Sequence, residues 1–206
     1  MTRRIDDFLN CIHNNKPVHL IGVSLGGTLT ALFANQYSEK IKLITLICPG
    51  MRTPIETNFQ KQVFDDKRCL FIAESVQDIK EIVKITLYKS YNKVISDTVA
   101  YALLQDQKRY KPFLRELFES VVKEEQDIRM QNVFNSLRQP VSIIWGEEDE
   151  LFHVSGALQL RDLLTDCRRV DIIGEAGHSL AIDDPKQVAQ AIQSFRSEFV
   201  INSQIL

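Results

Sequence analysis

The chain has 206 residues, of which 44% are hydrophobic and 25% charged, and its 25 basic and 27 acidic side chains give a net charge of −2. This composition is that of an ordinary globular protein and excludes a wholly disordered chain. The balanced charge argues against a nucleic-acid-binding surface, because phosphate contacts need clustered cations that are not neutralised. The length favours one domain with an insertion over two independent domains.

Cysteine usage and the lack of hydrophobic targeting segments indicate a reducing compartment. Cys11, Cys48, Cys69 and Cys167 show no Cys-x-x-Cys spacing, which predicts four buried free thiols. No apolar run reaches the ~18 residues that a membrane span needs. Residues 1–7 are basic and then acidic, unlike a signal peptide. We therefore expect the chain, as written, to be intracellular.

The first quarter of the chain alternates between helix and strand patterns. Apolar residues three and four positions apart predict a short amphipathic helix at the start, formed by Ile5, Phe8, Leu9 and Ile12. Two compact apolar runs, Val18–Val23 and Ile41–Cys48, are typical of strands buried on both faces of a parallel sheet. A helix is predicted between them, over Thr28–Tyr37.

The last third of the chain repeats this alternation. Strands are predicted at Val141–Trp145 and Arg169–Ile173, and helices at Ser155–Leu164 and Lys186–Phe199, the second with Pro185 in its first turn. Strands that alternate with helices are joined by right-handed crossovers and form a parallel sheet covered by helices. The sequence therefore predicts an α/β fold.

The middle of the chain breaks this pattern. The segment between Cys48 and Val141 is far longer than the dozen or so residues that a simple crossover needs. It carries two helical stripes, a strong one and a weaker one: Phe113, Leu114, Leu117, Phe118, Val121 and Val122, and Ile79, Ile82, Val83 and Leu87. We expect residues 51–137 to form a helical insertion over a core of residues 1–50 and 138–206. The stripes either face a pocket or pack the insertion onto the sheet.

Residues 22–26, Gly-Val-Ser-Leu-Gly, lie at the junction between a predicted strand and a predicted helix. This is the setting of a nucleophile elbow, a strained turn that raises a serine hydroxyl above the sheet. Because Gly22 and Gly26 have no side chains, they would prevent collisions with the neighbouring backbone. Ser24 would lie at a helix N-terminus, where free N–H groups stabilise a developing oxyanion. The alternative is a glycine-rich turn without reactivity.

A serine nucleophile needs a base, and the base needs an orienting acid. Asp149 follows one predicted strand of the last third, and His178 follows the other. Parallel strands place their carboxyl ends at one edge of the sheet, so both should meet Ser24 there. Taken singly, Asp149 is typical of a solvated turn and His178 of a structural histidine. Their common edge and the order Ser, Asp, His favour a catalytic triad.

With these residues the chain resembles the α/β-hydrolase superfamily, most closely its monoacylglycerol lipase branch. The stretches that carry the resemblance are His19–Gly27, Leu46–Pro49, Ile144–Asp149, Val154–Ala157 and Gly177–Ser179. The resemblance implies a cofactor-free serine ester hydrolase that acts on monoacylglycerols and related lipids, with the insertion as a cap over an acyl pocket. It makes Ser24 the nucleophile, His178 the base and Asp149 the acid, and gives Leu25 one oxyanion N–H. Dehalogenase or epoxide hydrolase chemistry is disfavoured, because those enzymes place Asp at the elbow.

The chain differs from this family at its N-terminus. Relatives carry further residues before the matching part, including the first strands, a His-Gly oxyanion loop and a membrane segment. We therefore expect a sheet that lacks the first strands and bares an edge, and association with membranes only where those residues exist. Loss of the second oxyanion donor would weaken the transition state by ~2.7–4 kcal/mol. The alternative function is a catalytically weak fragment that acts as a binding partner.

The remaining candidate residues have structural interpretations. His153 is expected on a surface loop, although it could reach the pocket mouth. Cys48 is expected to be a packed thiol at the end of a strand and not a second nucleophile. The four histidines, His13, His19, His153 and His178, are scattered, so no metal site is predicted.

Overall fold

A parallel sheet forms the centre of the chain. The computed structural model describes residues 1–12, 16–65, 70–89, 94–121 and 126–201. Within these residues four strands pair in the order β1-β2-β3-β4, all parallel, and they are Val18–Val23, Ile41–Ile47, Val141–Gly146 and Cys167–Ile173. The predicted α/β fold with a parallel sheet is confirmed.

Helices precede, separate and follow the strands. Before β3 they are α1 (Thr2–Cys11), α2 (Leu25–Gln36), α3 (Asn58–Phe64), α4 (Val76–Thr86), α5 (Asp97–Gln107), α6 (Lys111–Val121) and α7 (Gln126–Ser136), with a short 3₁₀ turn at Ser38–Lys40. After β3 they are α8 (Ser155–Leu163), α9 (Leu180–Asp183) and α10 (Pro185–Ile201). None of these helices in the described ranges has both the length and the apolar character needed to cross a membrane.

The segment between β2 and β3 is helical, as its stripes predicted. It holds α3 to α7, and local side chains set where two of these helices begin. Thr57 and Gln60 form a reciprocal capping box at α3, and Ser75 and Asp78 form another at α4. Each box satisfies amide groups that the first helical turn leaves unpaired. The bounds 51–137 for the insertion stay a prediction.

The strands differ in burial. Every residue of β3 is buried, and β2 is buried at every position except Lys42, as its apolar run predicted. The same prediction is wrong for β1, where Ile21 and Val23 are 42% and 47% exposed. The physical reason is position: among the described strands β1 pairs only with β2, so its outer edge and part of its face lack a covering layer. The expectation that the sheet bares an edge is thus met at β1.

The first helix and the cysteines are less buried than predicted. On α1 only Leu9 is buried, while Phe8 and Ile12, the residue after the helix, are exposed, because α1 packs mainly against α2. Cys11, at its end, is exposed, and Cys167 is half-buried at the start of β4. The prediction of buried thiols is therefore wrong at these two positions. Cys69 and His13 lie outside the described residues.

Helix α2 begins at Leu25, earlier than the predicted Thr28, because the chain turns into the helix directly after Ser24. Close packing explains one glycine of the motif here. A Cβ on Gly22 would overlap the Gly26 carbonyl oxygen and the Thr30 hydroxyl, whereas a Cβ on Gly26 would meet nothing within 4 Å. The expectation that both glycines prevent collisions holds for Gly22 and fails for Gly26.

We predict opposite effects for the two alanine substitutions. Gly22→Ala should lower the free energy of unfolding by about 1–3 kcal/mol, because the methyl group has no space. Gly26→Ala should be neutral or stabilise by up to about 1 kcal/mol, because α2 accepts alanine better than glycine. Denaturant unfolding of the two variants and the parent chain measures both changes. Equal losses in the two variants would contradict the packing explanation.

Candidate active site

Ser24 occupies a strained turn between β1 and α2. Its backbone angles are φ 53° and ψ −125°, a region that residues with a side chain rarely adopt. The turn is held by hydrogen bonds from both sides. The Ser24 N–H donates to the Ile47 carbonyl (2.9 Å), and the Ser24 carbonyl accepts from the Gly27 and Gly50 N–H groups at 2.9 and 3.0 Å. Strain that is fixed in this way is typical of functional positions.

Asp149 and His178 form a direct hydrogen bond. His178 Nδ1 lies 2.9 Å from Asp149 Oδ2, and the two side chains are 7% and 0% exposed. The other carboxylate oxygen, Oδ1, accepts from the Leu151 N–H (2.8 Å) and the Phe152 N–H (3.0 Å). An ionised carboxylate only accepts, so the imidazole donates from Nδ1. Nε2 is then left as a proton acceptor.

Backbone contacts between the loops after β3 and β4 bring these two residues together. Glu147 N–H donates to the Ile173 carbonyl, and Glu148 N–H to the Ala176 carbonyl, each at 3.0 Å. A Cβ on Gly146 would overlap the carbonyl oxygens of Ala176 and Gly177. The glycine at the end of β3 therefore allows the loop that precedes His178 to lie directly against the strand.

Ser24 lies on the wall of an apolar cavity of about 410 Å³. Leu25 and Phe152 lie on the same wall, and the Phe152 ring is 5.4 Å from the His178 ring, centroid to centroid. Other lining side chains are Met51, Phe59, Val63, Phe64, Phe71, Leu114, Leu117, Phe118, Met130 and Phe134. Among the described residues, no hydrogen bond joins the Ser24 hydroxyl to the His178 ring, and Phe152 contacts both the cavity and the imidazole.

The two predicted stripes of the insertion have different partners. Leu114, Leu117 and Phe118 of α6 line the cavity, whereas Phe113 of the same helix is 50% exposed. In the α4 stripe, Ile79 is buried in a cluster with residues of α5, and none of the four stripe residues lines the cavity. The expectation that the stripes face a pocket holds for α6 and fails for α4. Val122 and the side chain of Val121 lie outside the described residues.

Cys48 is a buried thiol beside the Asp149–His178 pair. Burial first, and the Asp149 carboxylate second, raise the pKa of the Cys48 thiol well above its usual range. The interpretation of Cys48 as a packed thiol is confirmed, but the sequence did not predict that it lies close to Asp149. Pairing of β2 with β3 would have indicated this, because Cys48 and Asp149 follow these neighbouring strands. Cys48, Asp149 and His178 each offer a potential metal-ligand atom within 4.8 Å of the others. The spacing of the histidines in the sequence did not predict this grouping.

Two other histidines have local roles. His153 Nδ1 accepts from the Ser155 N–H (3.1 Å) at the start of α8. His19 Nε2 lies 2.8 Å from the Thr45 hydroxyl, and burial, with a smaller effect of Arg196, lowers the pKa of His19. Both rings are therefore engaged outside the cavity wall.

The family model for the alpha/beta hydrolase fold matches residues 2–185. The chain therefore belongs to the α/β-hydrolase family. Its strained serine after β1 and its hydrogen-bonded Asp149 and His178 after β3 and β4 occupy the carboxyl edge of the sheet.

Two curated relatives share the monoacylglycerol lipase name. Monoacylglycerol lipase abhd6-B of Xenopus laevis is 31% identical over 203 residues, which cover 95% of this chain and 59% of that protein. Human monoacylglycerol lipase ABHD6 is 25% identical over 201 residues, covering 94% of this chain and 59% of that protein. The chain thus lies near the monoacylglycerol lipase branch, as the resemblance predicted, and spans 59% of the length of these relatives.

A solved structure has the same fold. Lip1, a lipase candidate of Acinetobacter baumannii AYE, superposes with a TM-score of 0.84 at 21% identity, covering 98% of this chain and 67% of that one. At this identity the similarity supports the fold alone.

Proposed function

We propose that the chain is a serine hydrolase that cleaves carboxylic esters of lipids, with monoacylglycerols as the substrate class. One observation carries the proposal: a strained serine on the wall of an apolar cavity and a hydrogen-bonded histidine–aspartate pair lie at the same edge of the sheet. The monoacylglycerol lipase names of the relatives support the choice of substrate.

In the proposed reaction, Ser24 Oγ attacks the acyl carbonyl carbon while His178 Nε2 accepts the hydroxyl proton. The imidazolium then gives this proton to the glycerol oxygen as the ester bond breaks, leaving an acyl group on Ser24. Water, deprotonated by His178, attacks the acyl-enzyme and releases the fatty acid. Asp149 holds the ring orientation and stabilises its positive charge. These steps need no cofactor.

The oxyanion would be stabilised at the start of α2. Leu25 is the first residue of this helix and lines the cavity beside Ser24. The amides of a first helical turn have no partner within the helix, and the helix dipole adds positive potential there. We therefore assign the Leu25 N–H to the carbonyl oxygen of the tetrahedral intermediate.

The acyl chain would occupy the cavity. Its wall is formed mainly by aliphatic and aromatic side chains from residues 51–134 together with Phe152. Each methylene group that leaves water for such a site contributes ~0.8 kcal/mol. The affinity for the substrate would therefore depend on how well the length of its acyl chain matches the part of the cavity lined by α6.

A fluorophosphonate probe tests the nucleophile directly. The Ser24 oxygen should displace fluoride and become phosphonylated, and Ser24→Ala should abolish the label. Ser197→Ala is the control, since Ser197 bonds only to the Gln193 carbonyl within α10 and is exposed. Labelling that persists in Ser24→Ala, or an unlabelled parent chain, would refute the proposal. The second result would leave the binding-partner alternative.

Asp149→Asn tests the acid. The amide would hold the imidazole in the wrong tautomer, so kcat for a monoacylglycerol should fall by about 10⁴-fold while the fold is retained. Glu148→Gln, a change at the exposed neighbour, should leave kcat within a factor of two. Steady-state hydrolysis of the two variants gives the comparison. Near-normal turnover in Asp149→Asn would transfer the acid role to another carboxylate.

Phe118→Ala tests the acyl site. Removing this ring from the cavity wall should raise the relative kcat/KM for longer or bulkier acyl chains by several-fold, because the cavity becomes larger. Phe113→Ala is the matched control on the same helix, because Phe113 is half exposed and lies outside the cavity. A series of monoacylglycerols with different chain lengths measures the profile. A large loss of thermal stability with an unchanged profile would make Phe118 a packing residue.

A further inference from the structure

Asp183 is a buried carboxylate that the proposed reaction does not use. It lies at the end of α9, five positions after His178, and is 3% exposed. We propose that Asp183 is a positioning residue, which fixes the backbone around His178 by tying it to the segment that follows α4. This inference rests on the proposed role of His178 as the base.

The carboxylate of Asp183 accepts backbone N–H groups from two distant segments. Oδ2 accepts from Gly177 (3.0 Å), directly before His178, and from Tyr88 (2.9 Å). Oδ1 accepts from Lys89 (3.2 Å). Hydrogen bonds to an ionised acceptor are about twice as strong as neutral ones. One side chain therefore joins the histidine loop to the residues just after α4.

The other side of His178 is held by the same segment. The Ser179 N–H donates to the Thr86 carbonyl at 2.7 Å. A Cβ on Gly177 would lie 3.1 Å from both the Thr86 carbonyl oxygen and the Tyr88 nitrogen, so the two backbones are in close contact. Both residues that flank His178 are thus bonded to residues 86–89 or to Asp183.

These contacts and the Asp149 bond control different degrees of freedom. The 2.9 Å bond to Asp149 orients the imidazole ring about its side-chain torsions, whereas Asp183 and Thr86 fix where the Cα of His178 lies. A base that is displaced by about 1 Å can lower a rate by about 10²-fold. Since α4 ends at Thr86, the position of this helix is transmitted to the base through Asp183.

Asp183→Asn is the principal test, with Asp184→Asn as its matched control. Asparagine keeps one acceptor but turns an N–H₂ group towards a backbone donor, so the loop should shift. We expect kcat for a monoacylglycerol to fall 10–100-fold with KM changed less than threefold. Asp184 is partly exposed and accepts from the Gln187 N–H at the start of α10, so its variant should keep the parent kcat.

Two readouts do not depend on activity. In Asp183→Asn the Gly177, Tyr88 and Lys89 amides should exchange hydrogen faster together, and the downfield proton resonance of His178 Nδ1–H should move. If the parent chain lacks Ser24-dependent hydrolysis, the proposed function fails, and these two readouts still decide the positioning role. Lower stability with an unchanged His178 resonance and, in an active chain, an unchanged kcat would make Asp183 purely structural and overturn the inference.

Lys89→Met covers the case in which Asp183→Asn does not fold. The Lys89 ammonium donates to the Asp183 main-chain carbonyl at 2.7 Å, and its removal leaves the carboxylate in place. We expect the same changes as for Asp183→Asn but smaller, with kcat lowered two- to fivefold and the His178 resonance displaced in the same direction. If Lys89→Met leaves both unchanged, the link between α4 and the histidine loop is refuted.

Discussion

The site depends on backbone segments that approach each other more closely than side chains would permit. Gly146 lies against the carbonyl oxygens before His178, Gly177 lies against residues 86–88, and Gly22 lies against the first turn of α2. Parallel strands bring their carboxyl ends to one edge of a sheet, but only to within the spacing of neighbouring strands. The contact at Gly146 lets the loop before His178 lie against the end of β3, and the His178 ring then reaches the Asp149 carboxylate at 2.9 Å.

Strain accumulates at this same edge. Ser24, Cys48 and Glu175 are the described non-glycine residues with positive φ, and they follow β1, β2 and β4. Each must be held in place by its surroundings, since such conformations cost of order 1–3 kcal/mol. The hydrogen bond from Cys48 N–H to the Ile144 carbonyl (3.0 Å) does this for β2. The core below the edge is fully buried at Trp145 and Ile144, and it supplies the rigid support for these turns.

The sequence predicted what depends on local pattern and failed where distant packing decides. Apolar runs located the strands, and the order Ser24, Asp149, His178 gave the candidate site. The same periodicity could not distinguish the α4 stripe, in which Ile79 packs on α5, from the α6 stripe, which lines the cavity, because a pattern gives a face but not its partner. Asp183 also escaped notice, since its bonds to Tyr88 and Lys89 join residues far apart in the chain.

The insertion therefore has two separate connections to the proposed chemistry. Through α6 it forms the cavity wall, and through the end of α4 it holds the histidine loop. The two connections meet at one hydrophobic cluster that includes Phe59 and Leu151, against which Phe118 of α6, Ile82 of α4 and Phe152 each pack. Under the proposed function, an acyl chain that fills the cavity contacts Phe152, whose ring lies 5.4 Å from the His178 ring. Binding energy from the chain can then improve the placement of His178 and raise kcat, and is not confined to lowering KM.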